Sequence, residues 1–593
     1  MISTKMNNSL YKTISALLVA GACFASVSAQ SLTESLTVVG KYTPEVIAAD
    51  RLSVSPSMIS LSAPRSLLSS DLTGVSANFA PDALGMPATA WRASKVSDQS
   101  RGYLNLRLGS WMNSSLSAGV QAVRNENTGL NFRFQHNSTS LWQAWTLHPA
   151  QGVEYSADTR FRYDETVGAD LCHRFAGAGT LAADLQYHLA YFNYYATDRG
   201  EVSEDRIRAP KQTINDIYAR VGWEGTPYGK LTYGLNADVR YFGFRAFYLP
   251  LYTNVSDTPL PRMQGERETL LNVGGNVEYR YNDVSAWGVG LEYSGVFNHI
   301  EDDVNRLRVL PGYDYRKGNV GLHIGAELAY VHIDREPFYY GTTIEDPSGK
   351  NTRRLRVAPD VRFDARSGIA AFSAAIGGGT HLRTLAWAHQ MNYYGSPQAG
   401  CRDVAYSPID ASMAFTLNPG GRWSVGFEAL WRTSLNESCG GFYQLYLNSR
   451  KVLPDWEYDG DYQIGRLAGF SVGVSASCDF CRYFSLKAKG NWQPQHDSRG
   501  ILNGFDRPAL TAGVCALSRP TDALSLRLDY NLRAKRYLLD GNISRLNLAA
   551  DYMINEKLSV GAEFNNLLNR HEMIFPKLPS EALTVNLGFQ LLF

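Results

Sequence analysis

Several things are scarce in this 593-residue chain, and each scarcity excludes something. No segment reaches the ~18 consecutive apolar residues that a membrane-spanning helix needs. Charge of one sign is not in excess: 57 Lys and Arg face 56 Asp and Glu, a net +1. Nothing in that balance points to nucleic acid as a partner. Cysteine is sparse, with seven in all. Catalytic signatures are missing too: there is no G-x-S-x-G, no H-E-x-x-H and no P-loop. The 11 His are scattered, and no cofactor or metal is expected.

Residues 1–29 read as a secretory signal. Lys5 and Lys12 form its basic start, Ile14 to Ala25 its mainly apolar stretch, and Val27-Ser28-Ala29 a small-residue cleavage site before Gln30. Removing it takes Cys23 and leaves Cys172, Cys401, Cys439, Cys478, Cys481 and Cys515. Cys478-Asp-Phe-Cys481 lies between two alternating strands, with no βαβ context and no second pair of ligands, so it reads as a hairpin turn. Aromatics are plentiful at 12%, with 34 Tyr and 11 Trp, which suits interfacial girdles.

The last strand carries the strongest pattern. Over 582–593, Leu583, Val585, Leu587, Phe589, Leu591 and Phe593 form an apolar row, opposite Ala582, Thr584, Asn586, Gly588 and Gln590. This period of 2, ending on a C-terminal aromatic, suits a barrel strand with one face on lipid and one on a wet lumen. The same alternation recurs over 103–109, 354–364, 524–533, 545–552 and 558–565. In two of these segments Arg356, Arg362, Arg527 and Asp529 fall on the polar row and are expected to face the lumen.

Alternation alone also fits a soluble sandwich. The connections separate the two. Short turns such as Asn418-Pro419-Gly420-Gly421, Arg519-Pro520-Thr521-Asp522 and Ile554-Asn555-Glu556-Lys557 alternate with longer loops near 196–211, 247–265, 333–351, 384–404, 434–461, 493–506 and 569–581. That asymmetry belongs to outer-membrane barrels. Counting back from Phe593 predicts an all-β transmembrane antiparallel β-barrel of about 22 strands over 101–593. Nineteen of them start from Tyr163 onward and three lie in 101–142. Phe593 ends the strand that closes the barrel, and an even count puts both barrel ends in the periplasm. Such a wall is roughly 40 Å across, so something must occupy its lumen. Cys401 and Cys439 fall in two of the long loops, each near Gly, and are expected to pair as a disulfide.

The run GAEFNNLLNRHEMIFP, with Asn566 to Asn569 at its centre, resembles the end of a TonB-dependent receptor barrel. The segments Gln135 to Ser140 and Tyr163 to Thr166 also resemble the barrels of Bacteroidetes members of that family. The resemblance implies an outer membrane of a Gram-negative bacterium, contact with its lipid and with the barrel assembly machinery, and transport. Family members carry a folded plug before the barrel. Residues 30–100 are too few for one and read as an extended Ser-, Ala- and Pro-rich segment. Within it Glu34, Ser35, Leu36, Thr37, Val38, Val39 and Gly40 are similar to a TonB box, the peptide that pairs with TonB by adding a strand. The same string also reads as an ordinary Thr/Val-rich stretch.

His136-Asn137-Ser138 invites a lipase-like reading, but a strand puts neighbouring side chains on opposite faces. The expectation is therefore no enzyme. It is a transporter or channel for a nutrient, with a non-transporting barrel scaffold in an outer-membrane complex as the other reading.

Overall fold

A computed structural model of the protein describes residues 101–593 except 143–144, 149–152, 156–158, 194–210, 226–228, 246–264, 300–301, 335–338, 341–342, 345–351, 392–403, 420, 441–442, 445–455, 458–461, 495–507, 536–541, 571 and 576–577. Twenty-two strands form one sheet. In chain order they are β1 Gly102–Gly109, β2 Ser114–Arg124, β3 Thr128–Trp142, β4 Thr159–Phe175, β5 Gly179–Asn193, β6 Lys211–Gly225 and β7 Leu231–Phe244. Next come β8 Arg267–Asn282, β9 Ser285–Asn298, β10 Asp303–Lys317, β11 Val320–Asp334, β12 Thr352–Ser367, β13 Ala370–Leu382 and β14 Val404–Leu417. The last are β15 Trp423–Gly440, β16 Tyr462–Cys481, β17 Phe484–Trp492, β18 Leu510–Ser518, β19 Leu524–Ala534, β20 Ile543–Met553, β21 Leu558–Asn565 and β22 Thr584–Leu592. Each pairs antiparallel with the next, and β1 pairs with β22, so the sheet closes.

Closure is made by main-chain bonds at the chain's own end. The Phe593 carbonyl accepts from the N–H of Arg101 (2.6 Å) and of Gly102 (2.9 Å), and the Phe593 N–H donates to Gly102 (3.0 Å). In lipid every main-chain polar group needs an internal partner, and a closed sheet supplies one all round.

The turns at the Phe593 end are tight and locally encoded. The Asn125 side-chain carbonyl accepts from the N–H of Asn127 and Thr128, and Asn555 does the same for Lys557 and Leu558. Asn and Asp favour such turns because a short side chain can replace the next main-chain acceptor. The three short turns expected from the sequence sit between β14 and β15, β18 and β19, and β20 and β21. Nineteen strands from β4 onward and three before it match the expected count. The longer connections leave from the strand ends opposite these turns, the end that the outer-membrane arrangement makes extracellular.

Side-chain alternation sets the two faces. On β6, Ile217 and Val221 are exposed while Gln212, Ile214 and Asp216 are buried. On β9, Trp287, Val289 and Leu291 are exposed while Ser294 and Val296 are buried. The exposed apolar row faces lipid, and the polar row faces the lumen. Two small apolar clusters interrupt the polar row near the extracellular end. One contains Ala190, Phe192, Ile214, Phe242 and Phe244, and the other Val296, Val304, Val331 and Ile333.

Candidate functional site

These clusters exist because one hairpin leaves the wall and folds into the lumen. β12 and β13 pair only from Val361↔Ile376 to Ser367↔Ala370. Beyond Ile376, β13 stays paired with β14 up to Leu382↔Val404. The departure follows from local sequence. Pro359 has no N–H to give a neighbouring strand, and Gly377-Gly378-Gly379 permits the bend. Gly379 has φ +136°, and a Cβ there would come within 2.7 Å of Glu327 Oε2.

The departing arm is anchored at Thr380. Its N–H and its hydroxyl both donate to Glu327 Oε1, at 2.7 and 2.6 Å. Its carbonyl accepts from Arg306 Nη1 at 2.7 Å. Leu382 and Val404 then pack on the second cluster. Past Leu382 the chain forms a short helix, α1, Leu385–Met391. Thr384 caps it, its hydroxyl accepting from the Trp387 N–H at 3.1 Å. The Glu268 carboxylate on β8 accepts the Leu385 N–H at 2.7 Å. Leu385 and Ala386 fill the first cluster, and His389 packs among Phe192, Phe242 and Phe244. Burial pushes the His389 imidazole down to about 3, aided by Arg162, His188 and Arg240 nearby and opposed by Asp164. His389 is therefore neutral in its seat. Sequence reasoning treated 384–404 as loop and missed both the arm and Glu268, Arg306 and Glu327; the Gly triplet was the available signal.

Below the arm the lumenal wall is a set of closed ion pairs. Arg308 sits between Glu292 and Glu327. Arg240 holds Asp216 through two bonds of 2.8 and 2.7 Å. Arg133 joins Asp170 (3.2 Å) to Asp184 (2.8 Å). His323 lies between Asp314 (3.0 Å) and Asp360 (3.6 Å). Paired this way, the wall is wetted and balanced in sign, unlike a one-sign selectivity ring. No group of three or more His, Cys, Asp or Glu suited to a metal ion occurs among the described residues.

The residues singled out from sequence are placed as follows. Arg362 binds Asp360 through bonds of 2.8 Å each, and Arg527 binds Asp529 at 2.6 Å. Arg356 lies over the Tyr406 ring, 4.6 Å from its centre, and the Tyr406 hydroxyl donates to the Val357 carbonyl. These two contacts bridge β12 to β14 where β13 has left. Cys439 belongs to β15, opposite Gln463, and not to a loop, because that strand runs on past the expected boundary at 434. Cys401 and Glu34 to Gly40 lie outside the described residues. Cys478 and Cys481 are both free, at a hairpin end.

Neither a protein-family model nor a curated protein matches the sequence. Solved structures do. The FrpB iron transporter of Neisseria meningitidis (F3-3 variant) matches with a TM-score of 0.61 at 12% identity, over 84% of this chain and 82% of its own. A mutant of the ferric enterobactin receptor PfeA of Pseudomonas aeruginosa, in complex with enterobactin, gives 0.59 at 12%, over 83% and 81%. The ferric-catecholate import receptor Fiu of E. coli K12 gives 0.55 at 10%, over 84% and 82%. At such identities the likeness is one of fold. The chain has the fold of these three proteins, which are named as a transporter and two receptors.

Proposed function

We propose that this protein is an outer-membrane transporter of the receptor type, whose lumen is the path of a nutrient. The observation that carries this reading is the wide closed barrel with a polar, charge-balanced inner wall, into whose extracellular end, among the described residues, an arm folds. The similar folds belong to proteins named for the movement of iron or ferric siderophores, which supports transport without naming this substrate.

Partners follow from the same reading. The terminal strand through Phe593 is what the barrel assembly machinery would engage, and outer-membrane lipid surrounds the wall. Glu34 to Gly40 would pair with TonB in the periplasm by strand addition. Residues 30–100 would run from the periplasmic side into or beneath the lumen and partly block it. Planar-bilayer conductance of the intact barrel and of a version lacking 31–95 tests the last point. The truncation is expected to conduct more. Equal conductance would leave the arm and loops as the closure. Fractionation of the protein with soluble periplasm would end the whole reading.

The scaffold reading retains one specific support: the arm is held by main-chain bonds to three buried side chains, Glu268, Arg306 and Glu327. A barrel locked in that way, with a co-purifying partner and no conductance in either version, would favour it.

A further inference from the structure

At one level of three adjacent strands the outward row turns from apolar to polar. On β2 the outward row reads Ser114, Leu116, Ala118, Val120; on β3 it reads Leu130, Phe132, Phe134, His136, Ser138; on β4 it reads Tyr163, Glu165, Val167, Ala169, Leu171. The facing is set by their neighbours: Val120, Phe132 and Val167 are 41%, 46% and 51% exposed. The intervening Arg133 binds Asp170 and Asp184 on the lumenal side. Strand register then gathers the polar exceptions, with Ser114 opposite Ser138 and His136 opposite Glu165.

Their contacts run in a fixed order. Ser114 Oγ lies 3.3 Å from His136 Nε2 and 2.6 Å from Ser138 Oγ. His136 Nδ1 lies 3.4 Å from Glu165 Oε1. Hydroxyl, imidazole and carboxylate in that order are the working parts of a hydrolytic serine. The alternation that separates His136 from Asn137 puts His136 and Ser138 on the same face.

Position makes the cluster informative. β3 starts at Thr128, beside a periplasmic turn, and His136 is eight residues on. At ~3.3 Å per residue and a tilt of ~40°, that is roughly 20 Å up a hydrocarbon band of ~25–30 Å, within the outer leaflet. Other strands also carry outward polar side chains towards this end, Asn305, His332 and Arg353 among them; what sets this group apart is its order of hydroxyl, imidazole and carboxylate. Just before Ser114, Trp111 and Met112 hold left-handed backbone, φ 60° and 53°, with 45% and 74% of their surfaces exposed. Strained non-glycine turns concentrate at functional sites.

We propose that Ser114, His136 and Glu165 form an acyl-ester hydrolase site on the outer wall, acting on an ester-linked acyl chain of an outer-leaflet lipid. Ser114 Oγ attacks the ester carbonyl carbon while its proton passes to His136 Nε2. The carbonyl–oxygen bond to the lipid alkoxide breaks, and that oxygen takes the proton from His136. Water from the extracellular side then attacks the acyl-serine, giving its proton to His136. The fatty acid leaves, and the proton returns to Ser114. Glu165 is a positioning residue that orients the imidazole through Nδ1. Ser138 is placed to donate a hydrogen bond to the oxyanion. The activity is separate from transport, and either can hold without the other.

The test uses the full-length protein in detergent micelles. A long-chain fluorophosphonate is mapped by mass spectrometry, and fatty acid release is measured from phosphatidylethanolamine and, separately, from lipopolysaccharide. Label on Ser114 with fatty acid from at least one lipid is the expected result, and the lipid cleaved identifies the ester. Ser114→Ala and His136→Ala should each lower release at least ~100-fold. Glu165→Gln should lower it and shift its pH profile, and Glu165→Asp should restore part of both. Heat-modifiable gel migration establishes that every variant is folded. No label and no release from folded wild type would overturn the proposal, and label on Ser138 alone would overturn Ser114 as the nucleophile.

Discussion

Arg107 on β1 and Glu563 on β21 lie 456 positions apart, yet their side chains form an ion pair that spans the last strand between them. Gly588 of β22, opposite Arg107, makes this feasible. A Cβ there would come within 2.5 Å of Arg107 Cγ. The pair is nearly buried, at 10% and 8% side-chain exposure. Removing one member of such a pair leaves an uncompensated charge, at a cost of ~3–5 kcal/mol. Glu563→Ala and Gly588→Val should therefore lower the temperature at which the folded band disappears on unboiled gels. Arg482→Ala, which loses an exposed pair with Asp522, should leave it in place.

Loss of Phe593 removes the carbonyl that accepts from Arg101 and Gly102. A chain ending at Leu592 is expected to yield much less heat-modifiable barrel in the outer membrane, measured as the folded fraction in isolated envelopes. Phe593→Leu keeps those main-chain bonds and should retain most of it.

The arm should respond to its hinge and its anchor. Gly379→Val meets both a left-handed φ and Glu327, and Glu327→Gln removes the charge that holds Thr380. Both variants should raise bilayer conductance and expose a cysteine placed at the fully buried Ala386 to an impermeant thiol reagent. An unchanged labelling rate would show that the arm is fixed by its apolar clusters alone.

Acid should loosen the same arm. Seated His389 titrates at about 3, whereas a released imidazole titrates near ~6.5. Between those values the released arm binds more protons. The contribution of His389 to seating is thus fullest above pH ~6.5 and is lost as pH falls, by up to ~1.4 kcal/mol per unit. Conductance between pH 7 and pH 5 should therefore rise more in the wild type than in His389→Phe, a change that suits the surrounding Phe192, Phe242 and Phe244.

Much of the wall was legible before any coordinates, because a strand's period of 2 is written directly in its residues and turns such as Asn555 carry their own chemistry. The inner features were not. The seven residues of α1 are too few to display a helical period, and its seat is built from β5 to β8, far away in sequence. Cys439 was misplaced because the polar tail of β15 resembles a loop once it rises above the lipid. Ser114, His136 and Glu165 stand on three different strands. Only strand register, which no one strand contains, brings them to one level.

The departure of β13 makes the two halves of the wall mechanically different. Near the periplasm all 22 strands are zipped side by side, so the circumference cannot change without breaking a whole ladder. Above Val361 the collar is split, and Tyr406 and Arg356 form a clasp across the split in place of a ladder. A rigid hoop with a split collar confines compliance to one end and one direction. The rim facing the environment can flex at that seam while the rim facing the cell keeps its girth.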